Sequence, residues 1–266
     1  PLAVYTAVVT GDVNGDGLED FFQGGAKFYS GIFYIQNQAG KFNAKPLEKS
    51  ISVPQKLGED LGSLLLDFDQ DGDLDLLVAS GGNERTSPEN YKSRLYLNNG
   101  QGMFSKGKTV IPSTNNNVSV VAPCDFDGDG DMDVFIGGRL LPQQYPQSPR
   151  SYLLQNNKGV FRDITKIISP ELEFAGMIEA AQFTDFNNDK KPDLIMCGEF
   201  TSIRFFKNEN NKLVEVTNET GLINMYGFWR SLQQADVDKD GDMDYLVGNM
   251  GHNNKYHLSK EKPMQL

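Results

Sequence analysis

The stretch DFDGDGDMDVFIGG, Asp125 to Gly138, places acidic residues at alternate positions of a short loop and follows them directly with an apolar run. The pattern D-x-[DN]-x-D-x-x-x-D occurs five times, as loops one to five: DVNGDGLED (12–20), DFDQDGDLD (67–75), DFDGDGDMD (125–133), DFNNDKKPD (185–193) and DVDKDGDMD (236–244). Successive loops start 55, 58, 60 and 51 residues apart. A period of this length predicts a repeat architecture in which each unit packs on its neighbours.

Short apolar runs flank every loop. Segments such as GSLLL (62–66) precede the loops, and segments such as LDLLVASGG (74–82) follow them. Runs this short, ending at glycines, indicate buried strands rather than helices. Hairpin signals such as RLYLNNGQGMF (94–104) add a third and a fourth strand, since Asn and Gly supply the positive φ of tight turns. Each repeat is therefore predicted to form a four-stranded antiparallel blade. The chain as a whole is predicted to form an all-β β-propeller of about five blades.

The repeats are placed at approximately 1–56, 57–112, 113–170, 171–222 and 223–266, in a single propeller domain or fragment. The fifth repeat stops before its hairpin, and the first begins directly at a first strand. We therefore expect the chain to be part of a longer repeat array.

The loops are predicted to hold calcium. Ca²⁺ takes 6–8 oxygen ligands, and carboxylates at alternate positions of a tight loop can converge on one ion. Side chains at positions 1, 3, 5 and 9 and the backbone carbonyl at position 7 are the candidate ligands. They are Asp12, Asn14, Asp16, Leu18 and Asp20; Asp67, Asp69, Asp71, Asp73 and Asp75; Asp125, Asp127, Asp129, Asp131 and Asp133; Asp185, Asn187, Asp189, Lys191 and Asp193; and Asp236, Asp238, Asp240, Asp242 and Asp244.

The alternative is that Asp, Asn and Gly only mark polar turns. Five loops that all keep positions 1, 3, 5 and 9 favour calcium, because unneutralised carboxylates this close would repel one another. Up to five Ca²⁺ would change the formal charge of −11 to −1. Loop four should be the weakest site, since it has Asn187 in place of a carboxylate and Lys190 where the other loops have glycine. Loop one, with Asn14, should be intermediate.

Composition excludes several function classes. The chain has 25 Lys+Arg against 36 Asp+Glu and no basic cluster, which argues against a nucleic-acid partner. No apolar run reaches the ~18 residues of a membrane span. Cys124 and Cys197 lie in apolar runs without metal-ligand spacing, which favours buried free thiols and leaves a disulfide between them as the alternative. Trp229, the single tryptophan, is expected in the core or between blades.

These loops, their placement between the first two strands, and the GG or GN endings resemble the FG-GAP/VCBS repeats of integrin alpha-subunit propellers and bacterial cell-surface proteins. Residues 137–165, 227–251 and the tail that follows look most similar to large VCBS-repeat proteins of Bacteroidetes-type bacteria. The resemblance implies a β-propeller with bound calcium in a secreted or cell-surface, extracytoplasmic and bacterial setting. The resemblance does not identify a ligand for this chain.

Two functions are compatible with the sequence. The first is a binding, adhesion or scaffold module with structural calcium, whose blade-connecting loops meet a protein or glycan. Two long connections, Asn83 to Ser93 and Arg139 to Arg150, are partner-site candidates or simple linkers. The second is a polysaccharide lyase or hydrolase that uses calcium. Its support is small, since His252 and His257 are the only histidines and no catalytic motif is present, so we expect no catalytic residues. A cluster of Arg, Lys and Tyr at the propeller centre would favour the enzyme.

Overall fold

The structure, a computed structural model, describes residues 7–82, 91–107, 111 and 117–251. Within these ranges the chain is built almost entirely of short antiparallel strands. They are β1 (Val8–Gly11), β2 (Asp20–Gln23), β3 (Ile32–Gln36), β4 (Phe42–Pro46), β5 (Glu59–Leu66), β6 (Asp75–Gly81), β7 (Arg94–Leu97), β8 (Ser105–Lys106), β9 (Asn117–Cys124), β10 (Asp133–Leu140), β11 (Tyr152–Gln155), β12 (Arg162–Asp163), β13 (Met177–Thr184), β14 (Asp193–Thr201), β15 (Arg204–Asn208), β16 (Leu213–Glu215), β17 (Gly227–Ala235) and β18 (Asp244–Asn249).

The strands form consecutive four-stranded meanders. Blade one is β1-β2-β3-β4, blade two β5-β6-β7-β8, and blade three β9-β10-β11-β12. Blade four, β13 to β16, continues into the β17–β18 pair of blade five, because β17 also pairs with the end of β14. The predicted hairpins connect the third and fourth strands, and Gly40, Gly100, Gly159 and Asn210 in these turns have positive φ. The predicted all-β propeller of four-stranded blades is confirmed.

The hydrophobic core lies between blades rather than within them. First strands of successive blades contact one another in the order β1, β5, β9, β13 and β17. Four buried clusters fill the spaces between consecutive blades. Phe22 packs with Leu76 between blades one and two, Leu77 with Val134 between two and three, Phe135 with Leu194 between three and four, and Ile195 with Trp229 between four and five. A blade thus buries its apolar faces only when a neighbour is present.

Glycines in the second halves of β10 and β14 lie where the chain approaches itself closely. A Cβ on Gly137 would lie 2.5 Å from Val120 Cγ1 and 3.0 Å from Ile178 Cγ2 of the next blade. A Cβ on Gly198 would lie 1.9 Å from the backbone oxygen of Met177. Gly137 and Gly198 therefore occupy positions where no side chain fits.

Helical structure in the described residues is limited to single turns. The α-helix α1 covers Thr165–Ile168, and 3-10 turns cover Pro170–Leu172 and Thr217–Glu219. No helix in these ranges is both long and apolar enough to cross a bilayer.

We expect Gly198→Ala to lower the free energy of unfolding by about 1–3 kcal/mol, the usual cost of overpacking, because the backbone oxygen of Met177 cannot move away without breaking the β13–β14 ladder. Denaturant unfolding would measure the change. Gly107→Ala is the matched control, since its new Cβ would lie 3.3 Å from the nearest atom, Leu95 O. Equal losses in the two variants would contradict this explanation of the glycine endings.

Candidate metal centre

All five Asp-rich loops connect the first and second strands of their blades. They join β1 to β2, β5 to β6, β9 to β10, β13 to β14 and β17 to β18. Neighbouring strands are antiparallel, so the loops and the hairpins between third and fourth strands lie at the same end of each blade and on the same face of the propeller. The connections from second to third strands lie on the opposite face.

The first aspartate of each loop organises the loop backbone. In loop one, Gly15 N–H donates to Asp12 Oδ1 at 2.8 Å and Gly17 N–H donates to Oδ2 at 2.7 Å. Burial alone would raise the pKa of Asp12, but these backbone donors hold it below its usual value. Backbone N–H groups of the other loops donate in the same way to Asp67, Asp125, Asp185 and Asp236.

Two positions in each loop adopt left-handed backbone conformations. Position 6 has positive φ in every loop, including φ 66° at Lys190 of loop four, where a non-glycine residue occupies the left-handed region. Position 4 is also left-handed, which the sequence pattern did not reveal. It is occupied by Gly15, Gln70, Gly128, Asn188 and Lys239.

Three of the loops gather carboxylates around a common point. In each set one carboxylate oxygen from every member lies within 4.8 Å of the others; the sets are Asp67, Asp69 and Asp71; Asp125, Asp127 and Asp129; and Asp236, Asp238 and Asp244. Asp69 Oδ1 and Asp236 Oδ1 are enclosed without a hydrogen-bond donor. Burial, and then the adjacent Asp71, raise the pKa of Asp69. Converging carboxylates with unpartnered buried oxygens fit a hard divalent cation such as Ca²⁺.

The ninth aspartate of each of loops one to four links the loop to the third strand through hydrogen bonds. Asp75, for example, is fully buried; its Oδ2 accepts Phe68 N–H at 3.1 Å and its Oδ1 accepts Asn98 N–H at 2.9 Å. The corresponding third-strand donors to Asp20, Asp133 and Asp193 are Gln36, Asn156 and Asn208. A carboxylate oxygen has two lone pairs, so these bonds leave capacity for a cation.

Hairpin asparagines connect the loops of neighbouring blades. Asn98 Nδ2 donates to the backbone oxygen of Val13 in loop one at 2.8 Å, while its own N–H holds Asp75 of loop two. Asn156 repeats the arrangement, with Nδ2 donating to Phe68 O at 3.0 Å and N–H to Asp133 Oδ1 at 2.7 Å. Both side chains are buried. The hairpin sequences predicted turns and gave no sign of this second role.

A family model described as FG-GAP-like repeat matches residues 67–136 and 185–247, together half of the chain. The chain belongs to the FG-GAP-like repeat family. Each matched range starts at the first aspartate of one loop and ends in the second strand of the next blade. No curated protein sequence matches the chain.

Two solved structures resemble this FG-GAP-like repeat chain in fold. One is an Agrocybe aegerita lectin described as recognising non-reducing terminal N-acetylglucosamine, with a TM-score of 0.53 and 15% identity over 92% of this chain and 61% of the lectin. The other is the V. cholerae biofilm matrix protein Bap1, with a TM-score of 0.44 and 13% identity over 92% of this chain and 34% of Bap1. The chain thus spans less than two thirds of either structure.

Loops one and four differ from the other FG-GAP-like loops at position 3. In loop one, Asn14 Nδ2 donates to Asp16 Oδ2 at 3.1 Å, and in loop four Asn187 Oδ1 accepts Asp189 N–H at 2.9 Å. Within the described residues, sets of three converging carboxylates occur only in loops two, three and five. The expected order of affinities, with loop four weakest, and the role of the carbonyls at position 7 stay predictions.

The opposite face carries the long connections. Tyr145, in the connection of residues 139–150, donates its hydroxyl to Glu199 Oε2 at 3.0 Å. Glu199 is in turn paired with Arg230 at 2.8 Å, and Arg139 pairs with Glu179 at 2.7 Å. The sequence indicated this connection as a partner-site candidate but gave no sign of the ion-pair network beneath it. Residues 83–90 of the other long connection, and His252 and His257, lie outside the described residues.

Cys124 and Cys197 are free and buried, in different blade interfaces. The disulfide alternative is therefore not realised. Burial raises the pKa of both thiols. Trp229 is buried between blades four and five, as expected.

We expect the effect of added calcium on the stability of the fold to depend on pH. Burial and nearby aspartates raise the pKa of Asp75, Asp133 and Asp193 from 3.8 to about 6, so the metal-free fold is stabilised by protonation at low pH and loses that contribution as pH rises through 6. A cation must displace these protons, so its effect grows with pH. We expect the calcium-induced rise in melting temperature to be larger at pH 7 than at pH 5. A rise at pH 5 as large as that at pH 7 would contradict this coupling.

Proposed function

We propose that this chain is a calcium-stabilised, extracytoplasmic β-propeller module that binds a partner through the connections opposite its Asp-rich loops. The observation that carries the proposal is the convergence of three carboxylates within 4.8 Å in each of loops two, three and five. Bound calcium would neutralise these carboxylates and cross-link the loop. In the proposed module calcium has a structural role and the opposite face recognises the partner.

The position of the loops supports a structural role for the metal. Each loop joins two strands that take part in the inter-blade core. Asn98 and Asn156 connect neighbouring loops through buried hydrogen bonds. Carboxylate repulsion in one loop would therefore strain the adjoining blade as well. A cation that binds only the folded chain adds stability by mass action.

Recognition by the opposite face is supported by the long connections that this face carries. Connections held by a rigid scaffold are the usual place for binding residues. The similar fold of a lectin is compatible with a glycan partner for this chain, although 15% identity carries only the fold. Calcium loops of extracellular modules bind in the 10⁻⁴ to 10⁻³ M range, which suits the extracytoplasmic setting proposed here.

A second candidate function is a carbohydrate-active enzyme. The observation that favours it is the network of Arg139, Glu179, Arg230 and Glu199 beside Tyr145. Burial raises the pKa of Glu179 against the opposing effect of Arg139 and Arg230, and a raised pKa suits a general acid. Both glutamates, however, are already paired with arginine. Binding is therefore the better supported function.

Chelation should lower the melting temperature markedly. At a calcium concentration a hundredfold above the dissociation constant, each structural site contributes about 2.7 kcal/mol, and this is lost in excess chelator. Asp129→Ala should reduce the calcium-induced shift because it removes one of the three converging carboxylates of loop three. Glu19→Ala, which removes an exposed carboxylate at a non-ligand position, is the matched control. Identical melting temperatures in chelator and in millimolar calcium would refute the structural-metal role.

The chain length of a polysaccharide after incubation with the protein distinguishes the binding proposal from the enzyme proposal. We expect neutral and acidic polysaccharides incubated with the protein in millimolar calcium to keep their length, as chromatography would show. Shortened products that disappear in Glu179→Gln, a variant that keeps side-chain size, would instead establish an enzyme.

A further inference from the structure

An aromatic and charged surface forms where blades three, four and five meet, on the face opposite the Asp-rich loops. We name it the junction surface and define it as Tyr145, Glu199, Phe200, Phe228 and Arg230. Tyr145 comes from the β10–β11 connection, Glu199 and Phe200 from the end of β14, and Phe228 and Arg230 from the start of β17. β13 and β17 are neighbouring first strands, and Arg230 on β17 pairs with Glu179 on β13.

Phe200 is held in an unfavourable backbone conformation. Its φ is 56°, in the left-handed region that a bulky aromatic residue rarely occupies. It lies at a register shift between the pairs Glu199↔Phe228 and Thr201↔Gly227. Such irregularities redirect a side chain, and retained backbone strain is concentrated at functional sites. Here the Phe200 ring centroid lies 4.6 Å from that of Phe228 and 6.1 Å from that of Tyr145.

Planar polar groups border these rings. Glu199 accepts the Tyr145 hydroxyl on Oε2 and the Arg230 guanidinium on Oε1, at 3.0 and 2.8 Å. Arg230 also pairs with Glu179, which Arg139 contacts from the other side. Two arginines and two glutamates give no net charge. The groups that face solvent are the Tyr145 residue, 53% exposed, and the Arg230 side chain, 33% exposed.

We propose that the junction surface binds a neutral carbohydrate, which deepens and rests on the proposed binding function. The C–H faces of a sugar ring pack on the electron-rich face of an aromatic ring, and an aromatic residue with a polar end such as Tyr suits a half-wet site. The half-buried Arg230 guanidinium, which Glu179 and Glu199 hold in place, offers N–H donors to sugar hydroxyls. A balanced charge gives an acidic sugar no advantage. A stable protein interface covers about 20–30 residues on each side, more than the five residues of the junction surface.

The test is an array of immobilised neutral and acidic oligosaccharides, probed in millimolar calcium and followed by calorimetric titration with the neutral oligosaccharide that gives the strongest signal. We expect Tyr145→Ala and Phe200→Gly each to weaken binding at least tenfold; glycine tolerates the positive φ, so Phe200→Gly removes only the ring. Tyr145→Phe should weaken binding less, since it keeps the ring and loses the hydrogen bond to Glu199. Tyr29→Ala, at a tyrosine of blade one that is 55% exposed, is the matched control and should bind like the wild type.

Three results would overturn the inference: no neutral oligosaccharide binds, acidic ones bind better, or Tyr145→Ala binds as tightly as Tyr29→Ala. The calcium-dependent melting temperature is measured on the same samples. A calcium-dependent wild type that binds no glycan rejects the carbohydrate assignment alone, whereas a calcium-independent melting temperature rejects the proposed function. A variant that melts like the wild type reports on the surface rather than on folding.

Discussion

The structure depends on a buried carboxylate at the ninth position of each of loops one to four. Asp20, Asp75 and Asp133 each accept one N–H group from the start of the loop and one from the end of the third strand or the residue after it. Asp193 of loop four keeps the third-strand bond, from Asn208 N–H. Removing an ionised group from water is costly unless it is hydrogen-bonded, so the carboxylate fixes both partners in place. First, second and third strands of a blade are thereby joined at one residue, and the same residue lies beside the carboxylates that suit a cation.

Hydrogen bonds of the same residues also connect one blade to the next. The asparagine that donates its N–H to a ninth aspartate also reaches the loop of the preceding blade through its side-chain amide, as Asn98 and Asn156 do. Apolar packing follows the same pairs of blades, since each core cluster lies between neighbours. Loop conformation and core packing therefore support one another.

Much of the fold could be predicted because its signals are local. The alternating aspartates, the glycine at position 6 and the Asn-Gly hairpins each require a particular backbone conformation, and these conformations are present at Gly17, Gly130 and Gly100. Asn98 shows the limit of such prediction. Its turn was recognisable, but its contact with Val13 crosses 85 residues and depends on how two blades pack. Position 4 of the loops was missed because Gln70 and Lys239 carry no residue-type signal for positive φ.

By itself the sequence determined the all-β repeat, the number of Asp-rich loops and the oxygen ligands that could hold calcium, because these follow from short-range spacing and residue chemistry. Tertiary structure alone decided which carboxylates converge and which are buried and hydrogen-bonded to the third strand. It also decided that Tyr145, Glu199, Phe200 and Arg230 meet at one place. These residues come from three blades and are separated by up to 85 positions. Only the packing of successive first strands, together with the irregular β14–β17 pairing at Phe200, brings them together.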